Sequence, residues 1–399
     1  MRKQNHAPNR FKSSTAAAAA VLLFLCVLFT GCGKEDPQQT ETLVTVAAEE
    51  SAAVPAVPET LPQSTMKKVA MITDWGPVKN SVSNRQCWDS IEKWCTEKGI
   101  DYTCYESAED TTEERVLCVV QAIAEGADTV VLPGYLFGPV LAVVRDVYPD
   151  VKFLAIDVDA GDISLDQVTV YAPAENMTCL TFCEEQAGFL AGYAAVQEGY
   201  RKLGCMGSMA VPAVVRAGYG FVQGADAAAK ELGVEIEIHY AYAGMYFGNG
   251  ELTSQVAQWY ESGTEVVFAC GGGVYTSAIE AAKEFDGKVI GFETDLSDLD
   301  PCVLTSAVKR LENAVSLALQ AAYDGSWEDF GGKAIRLSLA DADSVGLTTQ
   351  SWRLENFSVE AYQAVKAKIA EGTVTVSDSA DKTVTPEVSE FTTVHYPEE

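Results

Sequence analysis

Lys68-Val69-Ala70-Met71-Ile72-Thr73 is a short apolar run without helical period, and Asp74-Trp75-Gly76 closes it with a turn. Residues 84–98 then take up helical spacing and lead to a second strand-like run, Ile100-Asp101-Tyr102-Thr103-Cys104-Tyr105. Strand, helix and strand at this pitch make a βαβ unit, whose parallel strands need cover on both faces. The alternation continues outward through strand-like runs at 129–132, 152–156 and 167–171, with a helix over 112–125. It resumes at 203–209, 235–241, 265–269 and 288–292, separated by helices near 218–232, 253–262 and 275–284. Two such series predict an α/β protein of two lobes, each a doubly wound parallel sheet. A strand at 303–308, a helix at 311–323, a strand near 333–339 and a helix at 359–371 follow, and a polar, strand-prone tail ends the chain without an obvious core.

Length and charge narrow the function classes. A chain of 399 residues is large enough for two lobes. Its 28 basic against 57 acidic residues give a net charge of −29, which repels phosphate backbones and excludes a nucleic-acid binder of the basic-face kind. Arg2, Lys3, Arg10 and Lys12 precede an apolar run from 16 to 29 that is too short for a membrane span, which needs roughly 20 residues. The run closes with Leu28-Phe29-Thr30-Gly31-Cys32, which resembles a bacterial lipobox. Residues 1–31 therefore read as a lipoprotein signal peptide and Cys32 as the lipidated residue, placing the protein on the extracytoplasmic face of the cell membrane, held by a lipid anchor only. Four basic and no acidic residues leave with that segment, so the remainder carries 24 basic against 57 acidic, or −33. Residues 32–65, rich in Thr, Glu, Pro and Ala, form a disordered tether. Of the 11 cysteines, nine lie beyond Cys32; an odd number cannot all pair, and most sit in apolar patterns where a free thiol behaves as a small hydrophobe.

In open α/β sheets ligands bind beyond the carboxyl ends of the strands, so the residues after each strand carry the functional reading. Asp74-Trp75-Gly76, Pro133-Gly134-Tyr135 and Asp157-Val158-Asp159 occupy those places in the first half. Gly244-Met245-Tyr246-Phe247, Gly271-Gly272-Gly273 and Glu293-Thr294-Asp295 occupy them in the second. The glycines around Gly272 could present backbone N–H groups to a ligand, or could simply make a tight turn. An enzyme is not expected. His6, His239 and His395 are the only histidines, none beside an evident nucleophile, and no phosphate loop is present. Gly218, Gly220 and Gly224 miss the dinucleotide spacing and read as close helix packing. The enzymatic alternative is a metal-dependent nucleoside hydrolase using Asp157, Asp159 and Asp162, since clustered carboxylates after a strand can hold a divalent ion. No metal or other cofactor is otherwise called for.

Several ordered blocks carry a resemblance. Val69 to Asp74, then Asn84 and Trp88, Tyr148-Pro149-Asp150 with Phe153 and Ile156-Asp157, Glu185-Gln186-Ala187-Gly188-Phe189-Leu190-Ala191-Gly192, Pro212, Gly220-Phe221 and Gly224, Ile290-Gly291, and Leu304-Thr305-Ser306 with Lys309 are similar to the basic membrane protein family of lipoproteins, receptors that hand purine nucleosides to ABC importers. The resemblance spans about residues 66–375. It implies a type I periplasmic-binding-protein fold, a purine held between aromatics, carboxylates on base and ribose, and an ABC permease as partner. Asp74, Asn84, Asp157 and Lys309 fall on family binding positions unchanged, Glu293 replaces an Asp, and Tyr246 matches one stacking aromatic. Ser83 stands where the family has its other stacking Phe, and Trp75 could supply the missing face. The expected ligand is a purine nucleoside, with a sugar or another small heterocycle as the alternative. Connectivity and resemblance together assign 66–172 with 300–330 to the N-terminal lobe, 176–292 with 333–375 to the C-terminal lobe, and 376–399 to a tail.

Overall fold

The computed structural model describes residues 66–396, so the signal peptide, Cys32 and the whole of the tether lie outside the described residues. In chain order the first half contains β1 (Lys68–Ile72), α1 (Val82–Lys98), β2 (Asp101–Tyr105), α2 (Thr112–Ala124), β3 (Thr129–Pro133), α3 (Gly138–Val144), β4 (Lys152–Ile156) and β5 (Met177–Phe182). The chain continues with α4 (Glu184–Glu198), β6 (Lys202–Gly207), α5 (Pro212–Leu232), β7 (Ile236–Tyr242), α6 (Gly250–Glu261), β8 (Val266–Cys270), α7 (Tyr275–Phe285) and β9 (Lys288–Glu293). Last come β10 (Val303–Lys309), α8 (Leu311–Asp324), β11 (Lys333–Leu337), β12 (Val345–Leu347), α9 (Val359–Ala370) and β13 (Thr392–His395).

These strands form two sheets. The first is wholly parallel, in the order β11-β5-β4-β3-β1-β2. The second runs β12-β10-β9-β8-β6-β7-β13 and is parallel except for β12. Every side chain of β3, β5 and β8 is buried, as strands covered by helices on both faces require.

The topology exchanges some segments between the predicted lobes. Residues 176–182 were expected in the C-terminal lobe, but β5 pairs with β4 in the first sheet. The strand near 333–339 was expected there too, yet β11 pairs with β5, from Lys333 opposite Thr178 to Leu337 opposite Phe182. Of 300–330, β10 lies in the second sheet beside β9. Only the helix that follows it keeps to the N-terminal lobe: Ser90 donates to the Glu312 carbonyl, and Lys152 to that of Ala322. The chain thus crosses between lobes after β5, after β10 and after β11. Which sheet a strand joins is set by contacts between residues far apart in the chain, which the local pattern of β5, β10 and β11 does not reveal. Residues 167–171, expected as a strand, form a turn, because the Asp166 carboxylate accepts from Val168 and Thr169 N–H and from the Ser164 and Thr169 hydroxyls.

The tail, expected to lack a core, closes the edge of the second sheet. Its strand β13 pairs parallel with β7, and Phe391, Val394 and Tyr396 pack on the main apolar cluster. On the way it is held by Ser377 to Gln223, Lys382 to Tyr219 and Ser389 to Asp226. The glycines of α4 and α5 behave as close-packing residues. A Cβ on Gly192 would lie 2.0 Å from the Phe221 carbonyl oxygen, and one on Gly224 would lie 1.9 Å from that of Phe189.

Candidate functional site

The carboxyl ends of the parallel strands of both sheets meet at a cleft, and two charge clusters lie there. In the first, Lys309 ends β10 immediately before a crossing. Its Nζ donates to Asp157 Oδ1 at 3.1 Å and Oδ2 at 3.0 Å, and lies 3.6 Å from Glu293 and 3.8 Å from Glu184. Asp157 follows β4 in the N-terminal lobe, whereas Glu293 ends β9 and Glu184 opens α4 in the other. One ammonium therefore ties the lobes together. Burial disfavours its charge, but the three carboxylates outweigh burial and hold its pKa above the ordinary value. Glu184 is also held by Arg216 Nε at 2.8 Å. Burial raises the Glu293 pKa, Lys309 opposes the rise, and Asp157 and Glu184 add to it.

Asp157 and Glu293 share a second property. Their φ angles are 58° and 72°, left-handed values that side chains with a Cβ avoid. Such strain costs on the order of 1–3 kcal/mol each and is kept only where the surroundings over-determine it. Here it turns both carboxyls from strand ends toward the same ammonium. Ser83, Asp157, Glu293, Thr294, Lys309 and Leu311 line a cavity of about 40 Å³. That is room for a few waters, well short of the roughly 300 Å³ or more of a typical ligand pocket.

The second cluster lies at the end of β1. Ser81 caps α1 by accepting from Asn84 N–H, which directs the buried Asn84 side chain at Asp74. Asn84 Nδ2 donates to Asp74 Oδ1 at 2.5 Å, while Asn84 Oδ1 has no partner among the described residues. The buried Arg115 donates to the Asp74 carbonyl at 2.6 Å and pairs with Asp110, fixing the loop from below. The two clusters are neighbours: beyond burial, which raises the Cys87 thiol most, the carboxylates of both Asp157 and Asp74 push it up.

The aromatic positions divide. Trp75 is 59% exposed and so is not packed beneath its loop. Tyr246 is partly exposed, and its carbonyl accepts from Gly273 N–H at 2.6 Å. Gly272, with φ 54°, would bring a Cβ within 2.6 Å of that same carbonyl, which gives it a structural duty in holding the Tyr246 loop. Burial raises the Tyr135 hydroxyl, with Tyr246 first among the charges that add to it and Asp74 also contributing. This exposed ring after β3 thus lies in the neighbourhood of Tyr246 and Asp74.

Geometry thereby gathers Asp157, Glu293 and Lys309 in one cluster and Asp74 with Asn84 in another, with Trp75 and Tyr246 on exposed loops. Sequence reading missed Glu184, Arg216 and Arg115 as supports and left Tyr135 as one loop residue among several. An acid four residues before Gly188, at the head of the run that carries the resemblance, was the available signal for Glu184, which the structure buries. Asp159 and Asp162 do not converge with Asp157. They cap a short helical turn reciprocally, Asp162 accepting from Asp159 N–H and Asp159 from Gly161 N–H. Among the described residues no group of three or more His, Cys, Asp or Glu side chains could hold a metal. A larger open groove of about 890 Å³, between Glu198 and Trp352, contains none of the sequence-predicted site residues.

Residues 67–380 match the family model described as ABC transporter substrate-binding protein PnrA-like. The chain is similar to the ABC transporter nucleoside-binding protein BmpA of Lactococcus lactis, 23% identical over 389 residues, covering 92% of this chain and 99% of that one. An uncharacterized lipoprotein of Pyrococcus abyssi is 27% identical over 297 residues, 71% of this chain and 69% of its own. Among solved structures, an ABC transporter solute-binding protein from Aeropyrum pernix K1 superposes with a TM-score of 0.61 at 18% identity, covering 79% of this chain and 95% of that one, a likeness of fold.

Proposed function

The chain belongs to the family of PnrA-like ABC transporter substrate-binding proteins, and from that premise we propose that it is a lipid-anchored extracytoplasmic receptor that captures a purine nucleoside and delivers it to an ABC permease. The observation that carries this reading is the Lys309 cluster, where one buried ammonium joins carboxylates of both lobes at the mouth of the parallel sheets. A nucleoside offers donors at its ribose hydroxyls and base N–H groups and an apolar face for stacking. Asp74 accepts from the base, Glu293 and Asp157 from the hydroxyls, and Lys309 donates to a ribose oxygen. Tyr246 stacks on one face, and Trp75 or Tyr135 on the other. The name of the Lactococcus relative and the positive run before Cys32 support ligand and anchor respectively. The ligand is bound and released unchanged, without catalysis or cofactor.

Ser83 favours a second reading. It is exposed and lines the cleft cavity in place of a stacking ring, which suits a pentose or a smaller heterocycle. A calorimetric and thermal-shift screen of nucleosides, nucleobases and sugars separates the two. A ligand at 100 times its dissociation constant stabilises the fold by about 2.7 kcal/mol. Stabilisation by purine nucleosides, recovered intact, supports the proposal; stabilisation by pentoses alone overturns it. Loss of lipid labelling in Cys32→Ser tests the anchor, and a Cys32→Ser protein that still partitions with membranes would refute it.

A further inference from the structure

The two histidines of the folded chain meet at the edge of the second sheet. His239 lies on β7 and His395 directly opposite on β13, in parallel register. Opposed residues on neighbouring strands project to the same face. Their ring centroids are 5.2 Å apart with the planes tilted 31°. Neither imidazole has a hydrogen-bond partner among the described residues, although a part-buried imidazole such as His239 ordinarily finds one. Trp259 covers the far side of His239, stacked at 5.7 Å and 17°, which leaves the His239 ring between the indole and His395.

We propose that His239 and His395 form a chelating site for a borderline transition-metal ion such as Zn²⁺, clipping the C-terminal strand to the body of the protein. The spacing suits it. With a metal–nitrogen bond of about 2.0–2.1 Å and tetrahedral angles, two coordinated imidazole centroids lie about 5 Å apart. Imidazole nitrogen is a preferred donor for Zn²⁺, Cu²⁺ and Ni²⁺, whereas Ca²⁺ and Mg²⁺ seek oxygen. Glu237, two residues earlier on the same face of β7, and Thr393 opposite it can engage metal-bound water. No third His, Cys, Asp or Glu completes the shell among the described residues, so water fills the remaining positions.

The site is separate from the cleft and depends on neither the nucleoside nor the permease. Its metal would tie the last strand to β7, adding a coordinate link to the backbone ladder there.

The test uses the full-length chain, purified in detergent and stripped with a chelator, then titrated with ZnCl₂ alone. One equivalent should bind and raise the melting temperature, with CaCl₂ and MgCl₂ without effect. Loss of one metal ligand should weaken Zn²⁺ binding by at least the roughly 10–100-fold typical of losing a partner that merely orients one. His239→Gln and His395→Gln should each do so. His395 is exposed, so His395→Gln should leave the metal-free melting temperature unchanged and keeps the test valid if His239→Gln folds poorly. Co²⁺ should give the visible absorption of a nitrogen-ligated site in the parent chain and not in His395→Gln. Failure to bind Zn²⁺ at millimolar concentration, or binding undiminished in His395→Gln, overturns the proposal.

Discussion

Replacing Lys309 by methionine keeps the apolar stem and deletes the charge that three carboxylates share. Removing one member of a buried ion pair costs about 3–5 kcal/mol when its partner is left uncompensated. Two features lower that figure here. Glu184 keeps Arg216, and the side chains of Asp157 and Glu293 are 31% and 41% exposed, so water takes over part of their solvation. The expected loss is about 2–3 kcal/mol, which at roughly 2 °C per kcal/mol for a chain of this size lowers the melting temperature by about 4–6 °C. The deficit should depend on pH. Burial raises the Glu293 pKa above its unfolded value, so ionised Glu293 costs stability that is intact below the unfolded pKa and lost as pH rises through the folded one. In Lys309→Met nothing opposes that rise, and the extra cost vanishes once the carboxyl is protonated. Circular-dichroism melts of parent and variant at about pH 7.5 and about pH 5 should show the gap narrowing in acid. An equal gap at both values, or none at about pH 7.5, would refute the electrostatic account.

Further expectations concern the same molecule. In ligand titrations Asp74→Asn and Glu293→Gln should weaken nucleoside binding by about 1.5–3 kcal/mol each, roughly ten- to hundredfold, while Asp150→Asn on an exposed turn leaves it unchanged. Tyr246→Ala should cost about 1–2 kcal/mol of affinity and little stability, and unfolding in its place would move the stacking face elsewhere. Gly224→Ala drives a methyl into the Phe189 carbonyl and should destabilise by about 1–3 kcal/mol or more in urea; a neutral effect would show that the helices separate at no cost. Truncation after residue 388 removes β13 with Phe391, Val394 and Tyr396, and should lower stability by at least about 2 kcal/mol, with unchanged melting counting against a structural tail.

The alternation that begins at Lys68 and the strand-end positions of Asp74, Asp157 and Glu293 were legible because period and punctuation are local properties. The close approach at Gly224 was equally readable, since a missed nucleotide spacing inside a helical pattern leaves packing as the purpose. Strand pairing was not. Whether β5 joins β4 or begins the second sheet depends on contacts between residues far apart in the chain, and Met177 to Phe182, with Thr178 and Thr181 among its apolar residues, is buried throughout. The support given by Arg216 and Arg115 was hidden for the same reason. An arginine on an amphipathic helix reads as a solvated face until the acid that buries it is known, and Glu184 lies 32 residues away. The tail read as strand-prone, but its pairing with β7 was not legible because β13 is short and polar on one face, as edge strands are.

The charge arithmetic of the Lys309 cluster bears on which solutes can enter. Asp157, Glu184 and Glu293 bring three negative charges against the two positive charges of Lys309 and Arg216, so the cleft floor is left with a deficit of one before Asp74 is counted. A phosphate monoester adds about −1.5 to −2 at neutral pH. Two like charges 4 Å apart repel by about 4 kcal/mol near a protein surface, which is about a thousandfold in affinity. A nucleoside and its monophosphate differ little in shape at the base and ribose, so on the proposed reading their valence is what the floor would tell apart. Under the proposed nucleoside reading, the charge deficit favours the dephosphorylated solute, the form that phosphoester hydrolysis of a nucleotide supplies.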